Sequence, residues 1–246
     1  MESRKVISMN FAGILAGGSG TRMGKTDLPK QFLSLGGRPI IVHTIEQFLI
    51  SPLIERIVVA VPENWISYTK DIVEKYCDDE RIDIIAGGSD RNGTIMNICR
   101  HIEENYKTKK DVVLVTHDAV RPFITQRIIK DNVEGCLKYG ATDTVVPAFD
   151  TIVESIDGEV ISNIPIRSQM YQGQTPQSFK LKEFIKINES LTEEEKAILT
   201  DACKVYVIKN KKVGLVMGET YNIKITTKHD LKMANLMIGH VLEDKE

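Results

Sequence analysis

The stretch Phe11-Ala-Gly-Ile-Leu-Ala-Gly-Gly-Ser-Gly-Thr-Arg-Met-Gly24, followed by Leu28-Pro-Lys-Gln-Phe32, constrains the fold more than any other part of this chain. An apolar, strand-like run enters a glycine-rich turn without a polar spacer. Glycine lets backbone N–H groups approach a ligand closely, and successive N–H groups in such a turn form a concavity that binds anions. Arg22 and Lys30 add two positive charges. The pattern predicts a triphosphate cradle at the end of a strand, built from Leu15, Ala16, Gly17 and Gly18. Taken alone, the loop is also compatible with an ordinary β–α turn.

Two common phosphate motifs come close and fail. A Walker loop requires G-x-x-x-x-G-K-[ST]. Gly24-Lys25-Thr26 fits its end, but Ser19 stands where the first glycine belongs. A dinucleotide fingerprint requires G-x-G-x-x-G and a later acidic residue. Gly18-Ser19-Gly20 fits its first half, but Met23 takes the third glycine position and the acidic residue is missing. Neither a P-loop NTPase nor a nicotinamide enzyme is the leading reading.

Further along, short β-branched runs alternate with helical patterns. Strands are predicted at Asn10–Leu15, Arg56–Val61, Ile82–Ala86, Asp111–Thr116 and Thr142–Pro147. Helices are predicted at Pro39–Phe48, Trp65–Tyr76, about Asn92–Glu104 and Thr125–Tyr139. This order predicts an α/β, doubly wound, mostly parallel sheet, with ligands at the carboxyl ends of its strands. The segments at 15–24, 87–91 and 117–121 fall there. The alternation then breaks. Thr151–Ile156 and Glu159–Ile164 flank Asp157-Gly158, which predicts a hairpin with a type I′ turn. Thr192-Glu-Glu-Glu195 is a capping-box signature. Strands are expected at Lys204–Ile208, Gly214–Val216 and Asn222–Thr226, and Thr227–Asp230 should cap a last helix through Met237. With no repeat or linker, one domain over residues 9–246 is the simplest account, with 150–168 as a projecting arm.

Composition narrows the function classes. Lys and Arg number 32 against 34 Asp and Glu, a formal net charge of −2, so there is no global case for nucleic-acid binding. Cys77, Cys99, Cys136 and Cys203 are far apart and form no C-x-x-C pair, so buried or incidental thiols are expected rather than zinc. Residues 1–8 carry no apolar signal region, and no apolar run is long enough to span a bilayer. The chain reads as cytoplasmic, without a membrane partner, and Met9 is an alternative start.

Read together, Leu15-Ala-Gly-Gly18 with Arg22 and Lys30, Gly87-Gly-Ser-Asp-Arg91, His117-Asp-Ala-Val-Arg-Pro122, Gln174-Thr-Pro-Gln177 and Asn222-Ile-Lys-Ile-Thr226 resemble the sugar-phosphate cytidylyltransferases. The resemblance spans residues 10–240. It implies a Rossmann-like nucleotidyltransferase fold and a reaction of CTP with an alditol phosphate, giving a CDP-alditol and pyrophosphate. The nucleophile, a phosphate oxygen, is already anionic. Catalysis then reduces to holding two polyanions and stabilising developing charge.

The resemblance also assigns roles. Arg22, Lys30, Arg167 and Lys224 would be catalytic, with Arg22 and Lys30 on the α-phosphate and the leaving pyrophosphate. Leu15, Ala16, Gly17, Gly18, Gly87, Gly88, Ser89, Asp90, Arg91, Thr94 and Ala119 would bind CTP, with the 87–91 turn reading cytosine. Asp118, Arg121, Thr151, Arg167 and Lys224 would bind the acceptor, and Asp118 would hold Mg²⁺. His117 is expected to form structural hydrogen bonds. Thr151 and Arg167 would come from a partner's arm, so a homodimer with exchanged arms is expected, and a pathway reductase is a further partner to consider. Val120 departs from the His-Asp-Ala-Ala-Arg-Pro of isoprenoid-type members. Asp150-Thr-Ile-Val-Glu154, Tyr171–Gln177 and Leu199-Thr-Asp-Ala-Cys203 resemble the ribitol-5-phosphate branch, which favours ribitol 5-phosphate for teichoic-acid synthesis over methylerythritol phosphate for isoprenoid synthesis. A CTP-binding regulatory protein without turnover is the alternative of another class.

Overall fold

The computed structural model describes residues 10–17, 28–108 and 112–243, with side chains to residue 239. Gly18, Arg22 and the start of the strand expected at Asp111 lie outside the described residues.

Seven strands form one sheet: β1 (Asn10–Leu15), β4 (Arg56–Val61), β5 (Ile82–Ala86), β6 (Val113–Asp118), β7 (Ala141–Pro147), β8 (Tyr171–Lys180) and β9 (Gly214–Met217). Their order is β5-β4-β1-β6-β8-β7-β9. Strand β8 runs antiparallel to both neighbours, and every other pairing in this sheet is parallel. Every residue of β1 and β6 is buried, as expected for strands covered on both faces by helices. A two-residue ladder pairs β2 (Ser34–Leu35) with β3 (Arg38–Pro39).

Helices α1 (Ile40–Leu49), α2 (Ile66–Tyr76) and α4 (Gln126–Tyr139) bury their apolar stripes on one face. On the other lie α3 (Arg91–Asn105), α5 (Leu181–Glu189) and α7 (Cys203–Ile208). Thr125 caps α4 by accepting from Ile128 N–H, and Thr192 with Glu195 forms the predicted capping box on the short α6 (Glu193–Ala197). The last helix, α8 (Lys228–Glu243), starts from a reciprocal pair. Asp230 accepts from the N–H groups of Thr226 and Thr227, and Thr227 Oγ1 accepts from Asp230 N–H. This is the mostly parallel, doubly wound α/β sheet that the sequence predicts. Among the described residues no helix is long and apolar enough to cross a membrane.

The structure corrects the sequence reading at four places. Lys204–Ile208 is helical, within α7. Its β-branched alternation suggests a strand, but Val205 and Tyr206 are buried together, with Tyr206 stacked 5.5 Å from Phe179. Packing overrides propensity there. Asn222–Thr226 is an irregular segment tied to the sheet region by Ile225 N–H donating to Val120 O. Strand β8 went unread because Gln172-Gly-Gln-Thr-Pro-Gln177 is poor in strand formers and contains a proline; the Thr175–Pro176 peptide is cis.

The arm is the fourth correction. Its predicted hairpin is reduced to one bridge between Glu154 and Asn163. Gly158 has a φ of +78°, but Asp157 does not join it at positive φ, so the turn is not type I′. The Asp157 carboxylate instead accepts from Glu159 and Val160 N–H. Ile156 is 91% exposed and Val160 65%. With these side chains exposed, a two-stranded ladder has little to hold it.

Candidate active site

Parallel register brings the ends of β1, β4, β5 and β6 level, with Leu15 opposite both Ala60 and Asp118, and Val61 opposite Ala86. A cavity of about 280 Å³ opens over these ends. Its lining includes Leu15, Ala16, Gly17, Lys30, Gly88, Ser89, Asp90, Arg91, Thr94, Asp118, Ala119 and Lys224. Most of the sequence-predicted nucleotide residues are thus brought together. Gln31 and Val120 also line the cavity, although no sequence pattern assigns a role to either.

One wall is a single-turn 3-10 helix, Lys30–Phe32. Gln31 Nε2 donates to Ala16 O at 2.7 Å and pins this turn to the end of β1. Phe32 packs against Trp65 and Tyr68, with ring centroids 5.2 and 5.1 Å away. The Lys30 side chain is therefore carried on a braced segment, and Lys30 is 8% exposed.

A second wall is the 87–91 turn and the N-terminus of α3. Asp90 caps the helix, its carboxylate accepting from Gly93 N–H at 2.8 Å. Thr94 Oγ1 accepts from Gly88 N–H and donates to Asp90 O. Gly87 donates to Val61 O. A helix N-terminus favours anions. A Cβ on Gly88 would lie 2.4 Å from the Gly93 carbonyl carbon and 2.6 Å from Thr94 N, so only glycine fits without moving backbone. Gly88→Ala is expected to cost ~1–3 kcal/mol of stability and to weaken nucleotide binding. Thermal unfolding with a CTP titration checks this, and unchanged values in both would contradict the close approach.

At the floor, Asp118 is ringed by three cations. Arg91 Nη1 is 2.6 Å from Oδ1, Lys224 Nζ 2.9 Å from Oδ2, and Arg121 Nε 3.4 Å from Oδ2. Burial alone would raise the Asp118 pKa, but Arg91, Lys224 and Arg121 overrule it and hold the carboxyl well below the usual carboxylate range. One carboxylate against three cations leaves a surplus of positive charge that suits a polyanion. Arg121 Nη1 also donates to Asn222 O at 2.8 Å, and Asn222 Nδ2 donates to Thr175 O at 2.9 Å. These bonds hold the irregular 222–226 segment, and thereby Lys224, against the sheet. A neighbouring cavity of about 420 Å³ contains Arg121, Phe149, Gln172, Gln174 and Thr220, and shares Lys224 with the first.

Thr151 and Arg167 line neither of these cavities. Both are exposed on the arm, where Arg167 Nη1 donates to Phe149 O. His117 is buried beneath the site and holds two hydrogen bonds, to Arg121 O and to Thr175 Oγ1. Burial lowers its pKa to about 4. It lines neither of the two cavities described, so it forms no nucleophile–base pair of the Ser/His kind there.

Among the described residues, no three His, Cys, Asp or Glu side chains gather into a metal cage. Mg²⁺ is commonly held through one or two carboxylates plus substrate phosphates and water. Asp118 supplies one ionised carboxylate at the cavity floor; its oxygens are shared with Arg91, Lys224 and Arg121, one of which would have to give way for the ion.

Behind Arg91, Gln177 Nε2 bridges Asp143 (3.0 Å) and Asp201 (2.7 Å). Burial raises the Asp143 pKa to about 6. The folded chain therefore binds this proton more tightly than the unfolded one, and the associated stability is lost as pH rises from about 4 through 6. Asp143→Asn is expected to raise Tm by ~2–4 °C at pH 8, about 1 kcal/mol, and to change little at pH 4. Melting curves at both pH values test this; a lower Tm at pH 8 would contradict it.

The family model described as IspD, 2-C-methyl-D-erythritol 4-phosphate cytidylyltransferase, matches residues 11–240. The structure of 4-diphosphocytidyl-2C-methyl-D-erythritol synthase from Anaerococcus prevotii DSM 20548 is 27% identical, covers 96% of this chain and 100% of its own, and superposes with a TM-score of 0.79. That of 2-C-methyl-D-erythritol 4-phosphate cytidylyltransferase from Francisella tularensis is also 27% identical, with 93% and 99% covered and a TM-score of 0.76. The corresponding structure from Thermus thermophilus, 22% identical over 93% of this chain and 98% of that one, matches in fold with a TM-score of 0.70.

Proposed function

This chain belongs to the IspD family of cytidylyltransferases, which are nucleotidyltransferases, and from that premise we propose that it transfers the cytidylyl group of CTP to D-ribitol 5-phosphate. The products are CDP-ribitol, for wall teichoic acid synthesis, and pyrophosphate. The observation that carries the transfer itself is the convergence of Arg91, Arg121 and Lys224 on Asp118 where two cavities meet at Lys224. The nucleotide occupies the cavity under the 87–91 turn and the acceptor phosphate approaches from the Arg121 side. An acceptor phosphate oxygen attacks the α-phosphorus, the bond to the β-phosphate oxygen breaks, and pyrophosphate leaves with the electron pair. Lys30 and Lys224 stabilise the charge that builds on the transferring and leaving phosphates, as does Arg22 from the glycine-rich loop. Asp118 would hold Mg²⁺, which when bound supplies further neutralisation of the phosphates.

Support for ribitol comes from Asp150–Glu154, Tyr171–Gln177 and Leu199–Cys203, which resemble the ribitol branch. The second reading takes 2-C-methyl-D-erythritol 4-phosphate as acceptor. The matched family model and the similar structures carry that substrate in their names and give this second reading the greater support. Comparing kcat/KM for the two acceptors under one set of conditions decides between them. A preference of tenfold or more, roughly 1.4 kcal/mol, for ribitol 5-phosphate supports the first reading, and the reverse preference supports the second.

CTP should be preferred over UTP by ~10–100-fold in kcat/KM, because the wrong base leaves a polar group unpaired at the 87–91 turn at ~1–3 kcal/mol. Chelation of divalent cations should abolish turnover. Equal rates with both nucleotides, or full activity in excess chelator, would contradict these assignments. The active unit is a two-fold dimer in which each arm reaches the other chain's acceptor cavity. It is supported by the exposed Ile156, Val160, Ile161 and Ile164, which an isolated arm cannot bury.

A further inference from the structure

The backbone ladder between β6 and β8 ends at Thr116 and Gln177. The next residues along β6 are His117 and Asp118, and side chains rather than ladder bonds fasten them to β8. Asp118 N–H donates to Thr175 Oγ1 at 3.2 Å. Thr175 Oγ1 in turn lies 3.0 Å from His117 Nδ1, and His117 Nε2 lies 3.0 Å from Arg121 O. A carbonyl only accepts, so Nε2 carries the ring proton. Nδ1 then accepts from the Thr175 hydroxyl, whose oxygen has taken the Asp118 N–H. Every polar atom in this chain of bonds is satisfied in one direction, from Asp118 through Thr175 and His117 to Arg121.

We infer that His117 is a positioning residue: with Thr175 it forms a clasp that fixes the backbone of both Asp118 and Arg121, and so sets where the acceptor phosphate is held. This rests on the proposed cytidylyl transfer. The ring has no route to reacting atoms. It is fully buried, and Phe48 of α1 packs on it with ring centroids 5.3 Å apart. The charged groups that act on it are Asp118, Arg121 and Arg91. The turn at 87–91 sits on a different connection, between β5 and α3, is held by its own bonds through Thr94, and meets the clasped segment at the Arg91–Asp118 side-chain pair. Loss of the clasp should therefore affect the acceptor more than the nucleotide.

The experiment compares His117→Phe, His117→Gln, Thr175→Val and Thr175→Ser with the wild-type chain. Each is assayed for acceptor kcat/KM, CTP Kd and Tm. Phenylalanine keeps the ring packing and removes both bonds, while valine removes only the Thr175 hydroxyl. Either should lower acceptor kcat/KM by ~10–100-fold, the typical effect of a misplacement near 1 Å, with CTP Kd changed by no more than about threefold. Glutamine, which can still donate to Arg121 O, should recover part of the loss, and serine should recover most of it. The double variant His117→Phe with Thr175→Val should lose little more than either single one, since both open the same clasp. Acceptor kcat/KM within about twofold of wild type in a folded His117→Phe or Thr175→Val chain overturns the inference. So does a CTP Kd that rises as far as the acceptor value falls. If His117→Phe does not fold, the valine and serine pair gives the same readings. A wild-type chain that forms no CDP-alditol overturns the functional reading and this inference with it.

Discussion

Replacing Lys30 with alanine is expected to lower kcat by ~10²–10³-fold, the usual cost of removing one group aimed at developing phosphate charge. The effect on folding should be smaller. Lys30 sits on a short turn whose neighbours do the structural work: Gln31 donates to Ala16 O, and Phe32 packs between Trp65 and Tyr68. Truncating Lys30 leaves these contacts in place. Steady-state turnover and thermal unfolding, measured on the same preparation, separate the two effects. Near-normal turnover would remove Lys30 from the catalytic set. Lys224→Ala should also slow turnover, and in addition strips Asp118 of one of its three cationic neighbours.

The second large effect concerns the arm. Arg167→Ala and Lys30→Ala chains should each be inactive as homodimers, while a mixture regains activity. In the mixed dimer the site on the Arg167→Ala chain has its own Lys30 and the other chain's wild-type Arg167. With random pairing, half of the dimers are mixed and each has one competent site, so about a quarter of wild-type activity should return. The motivation is structural: Arg167 lies on the exposed arm and lines neither cavity of its own chain. Sedimentation of an active monomer, or a mixed dimer that assembles and stays dead, would contradict the shared-site account.

Much of the fold was legible because parallel strands buried on both faces leave a strong signature. Arg56–Val61 has the bounds the sequence predicts, since a continuous β-branched run has few other solutions; the half-buried edge strand Ile82–Ala86, interrupted by Asp83, has its predicted bounds as well. The glycine turns were legible for a related reason: Gly88 admits no side chain against the α3 backbone, and the sequence displays that constraint as a Gly-Gly pair. The site's floor was only half legible. Asp118, Arg121 and Lys224 were assigned to it by resemblance, but no spacing rule reveals that Arg91, Arg121 and Lys224 share one carboxylate. That geometry depends on β6 and the 222–226 segment meeting across roughly a hundred residues of chain. The sequence predicts no strand over β8 and a strand where α7 forms, because local propensity points away from the conformation that tertiary packing selects. Thr175 sits in the Gln174–Gln177 motif, and only the antiparallel strand brings its hydroxyl to His117 and Asp118. Gln31 was adjacent to a residue already singled out, and its buried bond to Ala16 O has no counterpart in any local pattern.

The central claim is that this site joins a nucleotide to a second phosphate rather than merely holding or hydrolysing a nucleotide. It is tested most directly by pyrophosphate release from the wild-type chain with CTP and Mg²⁺, in the absence and presence of ribitol 5-phosphate or 2-C-methyl-D-erythritol 4-phosphate, with the product mass determined. The account predicts essentially no release from CTP alone, and with one of the acceptors release matched one-for-one by a CDP-alditol. CTP that binds without turnover under any of these conditions, or pyrophosphate released from CTP alone with CMP as the product, would contradict it.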